Sequence, residues 1–316
     1  MENIQIRHLK GSLYLFCAFT LAGTSVIAAR FVTGQLGVFT ITAVSLFFAI
    51  LCLLPLCGYK LMEVIRRLGP EDWLMLFLQA LFGIFLFRLF LLHGLLRTSA
   101  GEAGVLTGAT PAVTALLAGV VLKEPFTPRS LAGILSTIGG ILLLQGILLP
   151  GSEFAMEHFL GNLLVLCAAV SESLFNIFSR LNSLKTASHR KQPINPVVQT
   201  VLVSAIALLL CLIPAQFEKP VWLLLALENK QWLALVWYGV FVTALAFICW
   251  YAGIKRSTAQ TAAAFSGMMP FTSLILSVII LGEDAGWQQW SGGCLIITGI
   301  LLIGALNGAR SAPANN

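Results

Sequence analysis

Residues 94–143 read GLLRTSAGEAGVLTGATPAVTALLAGVVLKEPFTPRSLAGILSTIGGILL, and residues 253–302 read GIKRSTAQTAAAFSGMMPFTSLILSVIILGEDAGWQQWSGGCLIITGILL. The two stretches align at one constant offset without a gap. Gly94, Arg97, Ala100, Ala103, Pro111, Leu122, Glu124, Gly133, Gly140 and Ile141 meet identical residues at Gly253, Arg256, Ala259, Ala262, Pro270, Leu281, Glu283, Gly292, Gly299 and Ile300. The charges change sides. The loop inside the first copy is basic (Lys123, Arg129), whereas its counterpart is acidic (Glu283, Asp284) and the basic pair Lys255/Arg256 stands at the other end of the second copy. Lys and Arg stay on the cytoplasmic side of a membrane. The two copies are therefore expected to lie in a bilayer in opposite orientations.

Composition supports the bilayer. Hydrophobic residues make up 58% of the chain and charged residues 10%, with a mean hydropathy of +0.91. No soluble fold of this length hides so much apolar surface behind so few charges. Apolar stretches fall near 12–32, 36–57, 72–96, 100–121, 130–149, 159–181, 194–214, 231–254, 258–281 and 286–306, each close to the ~20 residues a spanning helix needs. The expected fold is all-α and integral to the membrane, with ten transmembrane helices in two inverted five-helix repeats, 1–150 and 151–316. The first run, Leu13–Val32, is longer than a signal-peptide core and is expected to remain as a span. Inverted repeats of this kind characterise secondary transporters.

Counting basic residues orients the chain. With the N-terminus inside, the inner face holds Arg7, Lys10, Lys60, Arg66, Arg67, Lys123, Arg129, Arg180, Lys185, Arg190, Lys191, Lys255, Arg256 and Arg310. The outer face holds Arg30, Arg97, Lys219 and Lys230, and Arg88 lies inside a span. Both termini are expected to be cytoplasmic, in the inner membrane, and the net charge of +6 comes from this loop bias and implies no nucleic-acid partner. All seven Trp fall near span ends, where the interface favours them. The segment Phe217–Gln231 is expected along the outer surface.

Enzyme chemistry finds no support. The chain has no His-Glu-x-x-His zinc signature and no Gly-x-Ser-x-Gly elbow, and its only Asp residues, Asp72 and Asp284, stand at helix ends. The seven Cys are scattered without metal-type spacing. No cofactor, metal or ATP-driven step is expected; the expected partners are a small-molecule substrate and membrane lipid.

The Gly94-Leu95 and Gly253-Ile254 helix ends, the mid-span Pro111 and Pro270, the span-closing Leu122-Lys123-Glu124 and Leu281-Gly282-Glu283, and the glycine-rich spans from Gly133 and Gly292 resemble the drug/metabolite transporter superfamily, built from two EamA-type repeats. The resemblance covers essentially the whole chain. It implies secondary transport of a small metabolite without choosing among amino acids, sugars, nucleotide derivatives and drugs. Arg88 departs from it: such proteins carry an apolar residue there, and its repeat mate here is Phe247.

Candidate site residues are those that are polar at membrane depth. Pro111 and Pro270 free the carbonyls of Thr107 and Ser266 and are read as hinges. Thr107, Thr110 and Thr114 share a helix face with repeat mates Ser266, Met269 and Ser273; these stripes either line a pore or hydrogen-bond neighbouring helices. Arg88 and Glu172 are charges in the hydrocarbon, each costing at least ~2.5–3.5 kcal/mol to insert, which makes them functional candidates. Glu172 shares a face with Asn176 and Ser179. Arg88 and Glu172 either handle a substrate or proton, or pair with each other to lock two helices. Glu102 is read as a complement to its helix dipole, His93 as a packing residue, and Glu124 and Glu283 as partners for neighbouring helix termini. The paired glycines Gly133/Gly140 and Gly292/Gly299 predict close packing of the fifth and tenth spans and allow a homodimer.

The expected function is secondary transport, as an exporter, of a small organic metabolite by alternating access. An amino acid or related zwitterion suits a buried Arg with a buried Glu. An organic or phosphorylated anion, or a non-transporting scaffold or receptor, remains the alternative.

Overall fold

The computed structural model describes residues 2–121, 127–144, 156–188, 194–254, 265 and 267–310. Its helices are α1 (Glu2–Gly23), α2 (Ser25–Val32), α3 (Val38–Cys57), α4 (Lys60–Arg67), α5 (Pro70–Ala80), α6 (Phe87–Leu95), α7 (Ala100–Thr107), α8 (Thr110–Val121), α9 (Pro128–Leu144), α10 (Met156–Ser188), α11 (Pro196–Gln216), α12 (Pro220–Leu225), α13 (Asn229–Val236), α14 (Ala246–Ile254), α15 (Met268–Leu281) and α16 (Trp287–Arg310). Two wide-turn π segments, Leu81–Leu86 and Trp237–Leu245, join α5 to α6 and α13 to α14. No strand occurs among the described residues.

The local chemistry explains the boundaries. In lipid every backbone polar group must be satisfied within the chain, so uncharged apolar runs become helices. Proline opens α5, α9, α11 and α12, where its missing N–H costs nothing. The Asn195 side chain accepts from Val197 N at 2.9 Å and Ser99 Oγ from Glu102 N at 3.1 Å, capping α11 and α7. Among the described residues, seven helical stretches are long and apolar enough to cross a membrane: Lys10–Val32, Val38–Cys57, Pro70–Leu95, Ala100–Val121, Met156–Ser179, Pro196–Gln216 and Asn229–Trp250. Pro128–Leu143 and Met268–Leu281 are apolar but shorter. Large aliphatic side chains face outward along these helices, among them Val120, Ile213 and Ile279, each more than 70% exposed. An apolar exterior on this scale suits a lipid solvent. The Phe217–Gln231 segment carries the short α12, with Trp222 and Leu225 exposed.

The offset that carries Gly94 onto Gly253 reaches further than the two quoted stretches. It also carries Ser45, Pro55 and Trp73 onto Ser204, Pro214 and Trp232. Structural irregularities obey it too. Leu81–Leu86 maps onto 240–245, inside the second π segment, and α4 maps onto 219–226, which holds α12.

Glycines set how closely the repeats approach. A Cβ on Gly140 would lie 2.6 Å from the Gly292 carbonyl, and one on Gly299 would lie 2.6 Å from the Gly133 carbonyl. Rising residue numbers on α9 pair with falling ones on α16, so these helices run antiparallel. Each contact is the repeat image of the other. The glycine stripes are thus used within one chain, as close packing of these two helices required. A second pair behaves alike: Gly101 abuts Ser277 (2.6 Å to Oγ), Gly104 abuts Ser273, and Gly108 abuts Pro270 (3.1 Å to Cγ). So α7 and α15 also pack antiparallel.

Candidate functional site

Arg88 is the second residue of α6, directly after the first π segment. A π turn inserts an extra residue, which rotates the downstream residues by about 100° relative to an uninterrupted α-helix. Arg88 is 5% exposed. Its guanidinium donates to Ser45 Oγ at 2.6 Å and to Thr243 Oγ1 at 2.7 Å, and lies 4.4 Å over the Tyr238 ring. The acceptors have their own outlets: Ser45 Oγ donates to the Thr42 carbonyl and Thr243 Oγ1 to the Tyr238 carbonyl. No carboxylate lies within ion-pair distance of Arg88 among the described residues. Its contacts are neutral hydroxyls and an aromatic face. The alternative of a locking Arg88–Glu172 ion pair is not what the structure holds.

Applying the repeat offset to this cluster finds a cavity. Ser45, Tyr238, Thr243 and Arg88 have Ser204, Gln79, Ile84 and Phe247 as their repeat mates, and all four mates line one narrow cavity. Gly83, Phe175, Gln199, Thr200, Val203 and Thr243 complete its wall. Where the first slot holds a guanidinium, the second holds open space beside an aromatic ring. Gln199 Nε2 donates to Gln79 Oε1 at 2.7 Å. Gln79 Nε2 and Ser204 Oγ are buried and find no partner among the described residues. Thr243 belongs to both sites. Gly83 is necessary here because the Phe175 ring lies 2.5 Å from where its Cβ would stand. Gln79, Ser204 and Gln199 were not singled out from the sequence; their signal was their identity or image relation to polar residues at matching offsets in apolar spans.

Glu172 stands one turn before Phe175 on α10. Thr110 Oγ1 lies 2.9 Å from Glu172 Oε2 and 2.9 Å from the Thr107 carbonyl. That carbonyl is the one Pro111 leaves without a backbone donor. The helix breaks here: α7 ends at Thr107, Gly108 and Ala109 form a turn, and Pro111 is the second residue of α8. A hydroxyl carries one proton. If Thr110 caps the Thr107 carbonyl, the bond to Glu172 needs a proton from the carboxyl; if Glu172 is ionised and takes Thr110's proton, the carbonyl loses its cap. The protonation state of Glu172 is coupled to the helix break.

The remaining expected residues are distributed around these two sites. Thr107 Oγ1 donates to the Gly104 carbonyl, and Ser273 Oγ bonds the Gly23 and Met269 carbonyls at 2.8 and 3.0 Å. Thr114 Oγ1 is buried without a partner among the described residues. Met269 and Asn176 are half-buried, and Pro270 stands in the first turn of α15. Ser266 and Glu124 lie outside the described residues.

One end of the bundle is tied by two carboxylates. Gly282, in the left-handed region at φ 67°, ends α15 and turns Glu283 toward a neighbour. Glu283 then accepts from Ala100 N at 2.8 Å and Gly101 N at 2.9 Å, at the positive end of α7. Glu102 does more than complement that dipole. Its carboxylate, 4% exposed, accepts from Asn162 Nδ2 at 3.1 Å, Gln289 Nε2 at 2.8 Å and Thr98 Oγ1 at 3.2 Å, and lies 3.1 Å from His158 Nε2. It joins α7 to α10 and α16. A third carboxylate, Glu218, accepts from Phe39 N, Thr40 N and Thr40 Oγ1 and caps α3.

Known proteins share both the repeat and the fold. The profile of the EamA-like transporter family matches residues 9–145 and 159–305. The chain is 28% identical over 289 residues to the uncharacterized transporter YetK of Bacillus subtilis, covering 91% of this chain and 84% of that protein. It is 28% identical over 223 residues to the aromatic amino acid exporter YddG of Ancylobacter novellus, covering 71% of each. A crystal structure superposes with a TM-score of 0.60 at 22% identity, over 96% of this chain and 99% of the other, and shares the fold.

Proposed function

Because this chain belongs to the EamA-like transporter family, we propose that it is a secondary transporter that exports a small organic metabolite, an amino acid or related zwitterion, across the cytoplasmic membrane. The two halves, 1–150 and 151–316, are ten spans in inverted repeats with both termini cytoplasmic, and alternating access exchanges their packings around a site near the repeat axis. The image-related antiparallel contacts of α9 with α16, and the antiparallel packing of α7 on α15, support the inversion. The observation that carries the substrate reading is Arg88: a buried cation whose partners among the described residues are hydroxyls and a ring, with no anion among them. A substrate carboxylate supplies that anion. Glu172, one turn from the cavity wall, serves the amine. Asn176 and the Thr107, Thr110 and Thr114 stripe, with Ser266, Met269 and Ser273 opposite, line the route, and Pro111 and Pro270 act as hinges. That one relative is named an aromatic amino acid exporter agrees with this reading.

Proteoliposomes containing the purified chain test it. Radiolabelled neutral amino acids should show saturable counterflow, and Arg88→Met should abolish it while the protein stays folded. Counterflow of organic or phosphorylated anions alone would transfer the function to the anion reading, with Glu172 only balancing charge. An absence of counterflow for both classes would refute substrate transport at Arg88.

A further inference from the structure

We infer that the cavity bounded by Gln79, Ser204, Thr243 and Phe247 is a carboxylate subsite, the repeat image of the Arg88 slot. The inference rests on the transport reading above and names the part of the substrate this cavity takes. Gln79 Nε2 offers an N–H and Ser204 Oγ an O–H that no described residue accepts, on residues 1% and 0% exposed. Buried donors left without partners are rare in folded proteins and call for an acceptor. Two of the acceptors on the wall are engaged, Gln79 Oε1 by Gln199 and Thr243 Oγ1 by Arg88.

Charge reinforces the donors. Among the described residues, no carboxylate lines the cavity. Arg88 stands directly behind Thr243, one hydrogen bond away at 2.7 Å, so its positive charge reaches the cavity through little intervening polar material. A cation would meet repulsion, whereas a carboxylate finds two donors and a favourable field. The space is narrow, so it takes a head group and not a whole substrate, whose apolar body would lie toward Phe175 and Phe247. The asymmetry between the repeats then has a use. Arg88 fills the slot of one half, and Phe247 in the matching position leaves the other slot open while the same Arg88 charges it through Thr243.

The test measures thermal unfolding of the purified full chain in detergent with three probes: L-phenylalanine, phenylpyruvate, which lacks the amine, and L-phenylalaninamide, which lacks the carboxylate. Native-state binding raises the midpoint by an amount that grows with the logarithm of affinity at fixed ligand concentration. Both acids should stabilise the protein, the amide at least about tenfold more weakly, and Ser204→Ala and Gln79→Leu should each weaken the acids by about tenfold, as loss of one hydrogen bond to a charged group does. Ser204→Ala removes a single oxygen that bonds no described residue, so its unliganded midpoint should match the parent. Stabilisation by phenylpyruvate without phenylalanine supports the subsite and removes the zwitterion reading. Equal affinity for acid and amide, or unchanged acid affinity in both variants, overturns the subsite alone. Stabilisation by neither acid overturns both proposals.

Discussion

Replacing Arg88 by Met should leave the protein folded and disable it. The guanidinium makes two hydrogen bonds, to Ser45 and Thr243, and one face contact with Tyr238. Bonds to a charged donor contribute about 1.5–3 kcal/mol each, and a desolvated cation–π contact about 2 kcal/mol. Against this stands the cost of holding the charge at membrane depth, at least ~2.5–3.5 kcal/mol on insertion scales and several kcal/mol for buried ions generally. The two sides nearly cancel. Nor does the change orphan its neighbours, because Ser45 and Thr243 keep their bonds to the Thr42 and Tyr238 carbonyls and no described carboxylate loses a counter-ion. Met fills a similar volume flexibly. The expected loss of stability is at most about 2–3 kcal/mol, a shift below about 10 °C for a chain of this size. Binding of a carboxylate substrate should weaken by about tenfold or more, as the positive field beside its site is lost. Thermal unfolding in detergent and counterflow in proteoliposomes separate the two effects. A fall of more than about 10 °C, with transport per folded molecule unchanged, would show that Arg88 is a strut and refute the reasoning.

Glu283→Ala removes two bonds at the start of α7 and should cost about 1–2 kcal/mol, read as a lower unfolding midpoint, with Glu283→Gln recovering part of it. Gly140→Ala forces a Cβ to 2.6 Å from the Gly292 carbonyl and 2.8 Å from Ile296, so it should destabilise by about 1–3 kcal/mol, whereas Gly139→Ala, which meets no described atom within 4 Å, should not. Glu172→Gln should fold normally and flatten the pH dependence of transport, since an amide still reaches Thr110 but cannot exchange a proton; a pH profile unchanged from the parent would detach Glu172 from the cycle. A cysteine at Asp284 should react with an impermeant thiol reagent from outside and one at Arg129 only from inside; labelling of both from one face would end the inverted arrangement.

The gapless match between 94–143 and 253–302, with its charges exchanged, is legible without coordinates because hydrophobic length and loop charge are properties of consecutive residues. The same is true of the glycines that bring α9 against α16, since a seven-residue spacing already places them on one helix face. Glu283 at a neighbouring helix terminus could also be anticipated from its place just past a span. The site was another matter. Arg88 stood out as a charge in an apolar run, yet its partners Ser45 and Thr243 lie 43 and 155 residues away. Which way Arg88 points depends on a π turn that hydropathy does not register. Gln79 and Ser204 look like ordinary small polar residues until the fold sets them around one cavity with Phe247 opposite. Glu102 likewise read as a helix-end carboxylate, and only folding brought Asn162 and Gln289, 60 and 187 residues distant, to its oxygens. Span and orientation are decided by local free energies of transfer into lipid, which add along the chain. The pairing of buried polar groups is decided by which helix faces meet, and that is settled by the packing of the whole bundle.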